Sequence, residues 1–271
     1  MKALVGSHDL LFVTLDTLRH DVAAGQLAAG RTPNLARVLP GGVWQRRHTP
    51  ASFTYAAHHA FFGGFLPTPV TPGPHQRPFA ARFPGSTTVG EDTWEFDAAN
   101  VVTGLRAAGY HTVCIGGVGF FAMTSAQGAV LPGLFDEAHW TPEFGVTNPA
   151  CFEAQLDRLK TVIHEGKHDK HSDGPLFTFV NVAAMHQPNR HYLPGAAQDT
   201  VASHGAALAY VDRHLPALFG LVTSRGRPCH VIMCSDHGTA YGEDGHTGHR
   251  LAHEVVWTVP YAEFTLEPGE W

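Results

Sequence analysis

The sequence predicts an α/β fold, a single domain in which a mostly parallel mixed sheet is sandwiched between helices. Three observations predict it. Four runs are continuously apolar and rich in β-forming residues: "DLLFVTLD" (Asp9 to Asp16), "HTVCIGGV" (His111 to Val118), "LFTFVNVA" (Leu176 to Ala183) and "HVIMCSDHG" (His230 to Gly238). Unbroken rather than alternating hydrophobicity is what strands covered on both faces require. Apolar residues at helical spacing fill the intervals, and strands alternating with helices pack as layers. The length, 271 residues, lies within reach of one α/β domain, so 1–271 reads as one unit. Hydrophobic residues at 44% against charged ones at 15% give the chain a core to bury.

In chain order, the first strand ends at Asp16. "TPNLARVL" starts a helix with Pro33 in its first turn after Thr32. In "TPASFTYAAHHAFFGGFLP" a helix is expected from Phe53 to Phe62 with Ser52 as N-cap, which puts Thr54 in the first turn among unpaired backbone N–H groups. "PTPVTPGPHQRPFAARFPG" is too rich in proline and glycine for a regular element and reads as an irregular excursion. "ANVVTGLRAAGY" is a helix closed at Gly109. "NPACFEAQLDRLKTVIHEG" and "DTVASHGAALAYVDRHLPALFGLV" are amphipathic helices, and "EGKHDKHSDG" (Glu165 to Gly174) is an exposed loop. The stretches from Pro67 to Gly90 and from Phe120 to Thr147 are expected to be long loops that wall a pocket, with Phe120, Phe121, Trp140 and Trp257 as candidate lining residues or as core.

Charge and cysteine content remove several function classes. A net charge of -6 without a Lys/Arg cluster argues against a nucleic-acid partner, because a phosphate backbone is bound by clustered cations that displace counterions. No run approaches the length of a membrane span, and the first apolar run ends in Asp16 rather than in a cleavable leader site, so no membrane partner and a cytoplasmic location are expected. The oligomeric state is left open. Cys114, Cys151, Cys229 and Cys234 form no CxxC pair, and Cys114 and Cys234 read as buried thiols. The 20 histidines outnumber all 18 Lys and Arg, and imidazole serves both metal ligation and proton transfer near neutral pH.

Ligand groups in open α/β sheets gather beyond the carboxyl ends of the strands. Asp16 ends the first strand, Asp236 and His237 end the last, and His186 follows the third within a few residues. Two carboxylates and an imidazole suit a divalent cation of the zinc or manganese kind. Taken alone, Asp16 reads equally well as a capping or salt-bridged carboxylate. Asp236 and His237 followed by Gly238 read as a tight turn around a bound group. A Thr54 hydroxyl at a helix start and on a metal would have its alkoxide stabilised by both. The plain alternative makes Thr54 a helix-start residue and His58 and His59 ordinary imidazoles.

Six segments together carry a resemblance: "LLFVTLDTLRHD", "TPNLARVL", the Thr54 helix ending "GGFLP", "LRAAGYHTVCIGG", "FTFVNVAAMHQPNRHY" and "VIMCSDHGTAYGEDGHTGHRLAHEVVWTVPY". In this order they resemble the landmarks of the sulfatase-like branch of the alkaline phosphatase superfamily, and within it a small bacterial group of sulfatase-like metal hydrolases. The resemblance implies an alkaline phosphatase-like fold and a metal held by Asp16, Asp236 and His237, with Thr54 as both nucleophile and ligand. It implies that His186 contacts the substrate or its leaving group, and that His249 stands where sulfatases hold the anion with lysine. The substrate would be a small anionic ester.

Departures from the family pattern narrow the chemistry. Thr54 cannot become the formylglycine of true sulfatases, which disfavours sulfate esters and favours phosphodiesterase-like hydrolysis by in-line displacement, with His186 or His249 protonating the leaving oxygen. The Pro-Ser-Arg that follows the nucleophile in sulfatases is replaced, with His58 at the arginine position. Thr17 stands where many sulfatases have a second Asp. These changes shift the site toward nitrogen donors, Zn or Mn rather than calcium. His186, His191, His246 and His249 are candidates for a second ion, and with His58 for substrate contacts. The remaining readings are a non-catalytic metal- or partner-binding protein and a phosphoryl or sulfuryl transferase. Arg19 and Arg250 are candidate cations near the site, Arg19 equally a structural partner of Asp21.

Overall fold

The first apolar run forms the middle strand of a seven-stranded sheet. The computed structural model describes residues 3–64, 79–80, 94–95, 99–165 and 174–271. Their elements are β1 (Asp9–Leu15), α1 (His20–Ala28), α2 (Pro33–Val38), β2 (Gln45–His48), α3 (Thr54–Gly63), β3 (Phe79–Ala80), β4 (Trp94–Glu95), α4 (Val101–Ala107), β5 (His111–Ile115), α5 (Ala126–Val130), β6 (Glu137–His139) and α6 (Cys151–Glu165). The chain continues through β7 (Leu176–Val182), α7 (Val201–Thr223), β8 (Cys229–Cys234), β9 (Ala240–Tyr241), β10 (Thr247–Gly248), α8 (Glu254–Trp257) and β11 (Thr258–Leu266). The main sheet runs β2-β11-β8-β1-β7-β5-β6. Strands β8 to β6 are mutually parallel, whereas β11 is antiparallel to both β8 and β2.

Strand periodicity sends alternate residues to opposite faces, so β1 contributes to two cores. Leu11, Val13 and Leu15 pack under α1, α2, α6 and α7 with Val22, Leu35, Leu159 and Leu215. Leu10 and Phe12 face α3 and α4, in a cluster with Phe62, Val102, Phe121 and Phe179. The Phe179 ring meets Phe12 at 5.5 Å, Phe62 at 5.2 Å and Phe121 at 5.4 Å. Truncating such a residue to alanine costs about 3–5 kcal/mol. Reciprocal caps start two of the helices, Asn100 with Thr103 at α4 and Thr200 with Ser203 at α7.

The four apolar runs became β1, β5, β7 and β8, all parallel neighbours. The three other strands of the main sheet had no such signal. β2 is the wholly exposed "QRRH", β6 spans three residues, and β11 carries Pro260 and Glu263 and is antiparallel. Several expectations need correction. The N-cap of α3 is Phe53, whose extended backbone (φ -162°, ψ 156°) leaves Thr54 as the first helical residue, and Ser52 makes no cap. The stretch from Phe120 to Thr147 is not one loop, since it holds α5 and β6. Of the aromatics proposed to line a pocket, Phe121 is fully buried in the core, Trp140 donates Nε1–H to the Gly117 carbonyl at 2.9 Å, and Trp257 stacks on His48 at 5.7 Å. The excursion from Pro67 to Gly90 lies outside the described residues apart from β3, as do residues 166–173. Among the described residues no helix is long and apolar enough to cross a membrane.

Candidate metal centre

Parallel register brings the strand ends to one edge. Leu15 is level with Val182 and Thr14 with Cys234, so the chain segments after β1, β7 and β8 leave the sheet side by side. Asp16 follows β1 directly, and Asp236 and His237 stand just past β8. One donor atom from each of these three residues lies within 4.8 Å of the other two, and all three are buried. Among the described residues no other group of three His, Cys, Asp or Glu side chains meets so closely.

Thr54 joins them through matched periods. Thr14 and Asp16 share the β1 face toward α3 and are separated by roughly 6.6 Å of strand. Thr54 and His58 share one helix face and are separated by roughly 6 Å of helix. The two pairs therefore meet in step. His58 Nε2 lies 3.0 Å from Thr14 Oγ1, and Thr54 Oγ1 lies 3.4 Å from Asp16 Oδ2 and 3.2 Å from His237 Nε2.

Surrounding bonds aim the donors. His237 Nδ1–H donates to the Gly238 carbonyl at 2.8 Å, which fixes the ring and turns Nε2 toward Thr54. Asp236 Oδ1 accepts from the backbone N–H groups of Thr17 (3.2 Å) and His237 (3.0 Å). Thr17 adopts φ +63° to make its bond, a conformation that disfavours a β-branched residue. Asn181 Nδ2 donates to Asp16 Oδ2 at 3.1 Å, while Asn181 Oδ1 accepts from Val118 N–H at 3.0 Å. Gly238 is required by close approach, since a Cβ there would sit 1.9 Å from the Val255 carbonyl oxygen.

The arrangement leaves Asp16 Oδ1 and Asp236 Oδ2 buried without a hydrogen-bond partner. Burial first, and for Asp16 also the neighbouring Asp236, pushes both carboxyls up to about 6. Burial holds His237 below its usual value, hence neutral. Two carboxylate oxygens without protein partners, converging with an imidazole nitrogen that faces the Thr54 hydroxyl, are what a divalent cation needs, and the residues present fit one.

The other sequence candidates separate. His186 and His249 stand beside the centre: their rings are 5.5 Å apart, that of His249 is 4.7 Å from His237, and both line a cavity with Thr54 and Arg250. Burial, then His237 and His186, push His249 down to about 3, so it is neutral and cannot supply a lysine-like charge. Arg250 is the cation among the described residues that line the cavity. His191 is exposed with its ring on Tyr192 at 4.3 Å, and His246 is exposed 6.2 Å from His253, so the four-imidazole second site is not assembled. His58 is no ligand either. It is fully buried, bonds the Thr54 carbonyl at 2.8 Å and Thr14, and is pushed by burial down to about 3. Arg19 is structural, paired with Asp21 at 2.6 Å and with Glu243. Asn181 was missed by sequence reasoning, since an asparagine inside an apolar run carries only the signal of a polar side chain that needs buried partners.

Residues 8–261 match the Sulfatase family. No curated protein sequence matches the chain. Among solved structures, the C-terminal periplasmic domain of phosphoethanolamine transferase EptC from Campylobacter jejuni is similar at a TM-score of 0.63 and 11% identity, over 96% of this chain and 80% of that one. The corresponding EcEptC domain from Escherichia coli, solved as a complex with Zn, gives a TM-score of 0.62 at 12% identity over 98% and 74%. A protein in the alkaline phosphatase superfamily from Vibrio parahaemolyticus gives 0.59 at 13% over 98% and 62%. With the family matched over nearly its whole length and its fold shared with these structures, the chain belongs to the Sulfatase family, in the sulfatase-like branch of the alkaline phosphatase superfamily.

Proposed function

We propose that the protein is a metal-dependent phosphoryl-group enzyme that hydrolyses small anionic phosphate esters through Thr54. The observation that carries this reading is the place of Thr54 Oγ1, on the first residue of the ten-residue α3 and within 3.4 Å of Asp16 Oδ2 and 3.2 Å of His237 Nε2. A cation of the zinc or manganese kind held by Asp16, Asp236, His237 and the Thr54 oxygen would supply Lewis acidity, favouring the Thr54 alkoxide and offsetting charge on the phosphoryl oxygens. Thr54 Oγ1 attacks phosphorus, aided by the unpaired N–H groups of the α3 N-terminus. His186 donates Nδ1–H to the Gln187 carbonyl at 2.6 Å, so its acid form is the imidazolium, which hands the Nε2 proton to the leaving oxygen and takes one back from the water that follows. Neutral His249 donates a hydrogen bond to the anion, and Arg250 attracts it. Water then displaces the phosphoryl group from Thr54.

The transferase names of the EptC structures favour a second reading, in which an alcohol instead of water takes the group from Thr54. Product analysis of the metal-loaded protein with a chromogenic phosphodiester separates them. Free phosphate or monoester identifies the hydrolase, a new ester formed with added alcohol the transferase, and no product despite tight metal binding a non-catalytic protein. Thr54→Ala is expected to lower turnover about a thousandfold or more, and full activity in that variant excludes the covalent route.

A further inference from the structure

Two chemically different sets of side chains share the cavity in front of Thr54, which holds about 300 Å³. His186, His249 and Arg250 form one set, and Val118, Phe120 and Val146 the other, with the exposed Gln127 and Ser125, whose hydroxyl already accepts from Gly128 N–H at 3.0 Å, beside them. The Phe120 ring is fixed in place by Tyr55 at 5.3 Å and Phe53 at 6.4 Å, on the same turn of chain that carries Thr54. Arg250 lies 5.7 Å over the Phe53 ring. No Asp or Glu is among the described residues that line the cavity.

We infer that the cavity selects esters whose leaving alcohol is uncharged and apolar, seated against Phe120, and that it rejects amino alcohols. This rests on the phosphoryl-group reading above and adds the substrate class to it. An apolar group against Val118, Phe120 and Val146 loses water on both sides at no polar cost, and a ring already held by Tyr55 and Phe53 need not be ordered on binding. An ammonium group in the same place gives up its hydration with no carboxylate to meet it and with the Arg250 charge in the same cavity. The selectivity is thus opposite to that expected of an ethanolamine-handling relative, and Phe120 is the residue that determines it.

Three phosphonates, whose carbon–phosphorus bond is not a leaving ester, test this by calorimetry on the metal-loaded protein. Phenylphosphonate is expected to bind about tenfold tighter than methylphosphonate, and 2-aminoethylphosphonate no tighter than methylphosphonate. Phe120→Ala brings phenylphosphonate to within about threefold of methylphosphonate while methylphosphonate itself is unchanged. Gln127→Glu, which adds the missing carboxylate, strengthens 2-aminoethylphosphonate selectively. The inference is overturned if 2-aminoethylphosphonate matches phenylphosphonate in the unmodified protein, a comparison that needs no variant to fold. It is equally overturned if Phe120→Ala weakens phenyl and methyl probes alike. Failure of all three to bind overturns the phosphoryl-group reading, and this one with it.

Discussion

Asn181 Nδ2 lies 3.1 Å from Asp16 Oδ2 and equally 3.1 Å from Thr14 Oγ1, so one strand residue on β7 orients the metal-facing carboxylate that follows β1 and the hydroxyl that donates to His58 Nε2. Partners of this kind set ligand orientation and basicity. Asn181→Leu is expected to weaken divalent-metal affinity about 10–100-fold, read by competition with a chelator. The same change strips the Val118 N–H of its acceptor, for a stability loss of about 1–3 kcal/mol by urea unfolding. Unchanged metal affinity would remove Asn181 from the centre.

His58, which the resemblance sets at a sulfatase arginine position, has surroundings that suit a neutral ring. Its ring meets Phe61 at 5.5 Å, Phe121 at 5.2 Å and Phe179 at 5.5 Å with no exposed surface. His58→Arg would place a permanent charge among these rings. It is expected to destabilise the fold by about 3–5 kcal/mol in urea unfolding, and a variant as stable as the parent would show that Asp236, whose Oδ2 lies 3.8 Å from His58 Nδ1, serves as its counter-charge.

A stability optimum in mild acid is expected from Glu137. Its carboxylate bonds His111 Nε2 at 2.9 Å and His139 Nε2 at 3.1 Å. The imidazoles, His111 first, lower Glu137 from 4.5 to about 2, and Glu137 raises His111 above 6.5. The Glu137 contribution is present above pH 4.5 and lost as pH falls toward 2. The His111 contribution is present below pH 6.5 and lost as pH rises through the raised value. The stability gap between the parent and Glu137→Gln should therefore be widest between about pH 4.5 and 6.5 and narrow on both sides. All these groups are near the surface, so a gap that does not vary with pH would mean that solvent screens the cluster.

Metal loading should itself depend on pH. Asp16 and Asp236, raised by burial to about 6, favour the metal-free fold while protonated and oppose it once ionised. Metal displaces those protons. Metal at about 100 times its dissociation constant should add about 2.7 kcal/mol at pH 7.5 and much less at pH 5, as measured by thermal unfolding with and without chelator. Equal stabilisation at both values would place the ion on other ligands.

The parts of the site that could be read from sequence are those set by position along the chain. Asp16, Asp236 and His237 sit at the ends of apolar runs, and a parallel sheet brings such ends together whatever lies between them. Thr54 was legible as a helix start, though the cap one residue away was misplaced because Ser52 has the favoured chemistry while Phe53 has the extended backbone. What was not legible depends on environment. The neutral state of His249, the confinement of His58 among phenylalanines and the reach of Asn181 across the sheet all follow from contacts distant in sequence. Strands β2 and β11 escaped notice because an exposed polar edge and an antiparallel neighbour lack the unbroken apolar run that marked the others.

The proposed function has Asp16, Asp236, His237 and Thr54 surround one divalent cation. Its most direct test is elemental analysis of the purified protein beside an Asp16→Asn, Asp236→Asn double variant, with circular dichroism to confirm that both are folded. One zinc- or manganese-type ion per chain in the parent, absent from the folded variant, is the predicted result. An equal metal content in the two proteins would contradict it.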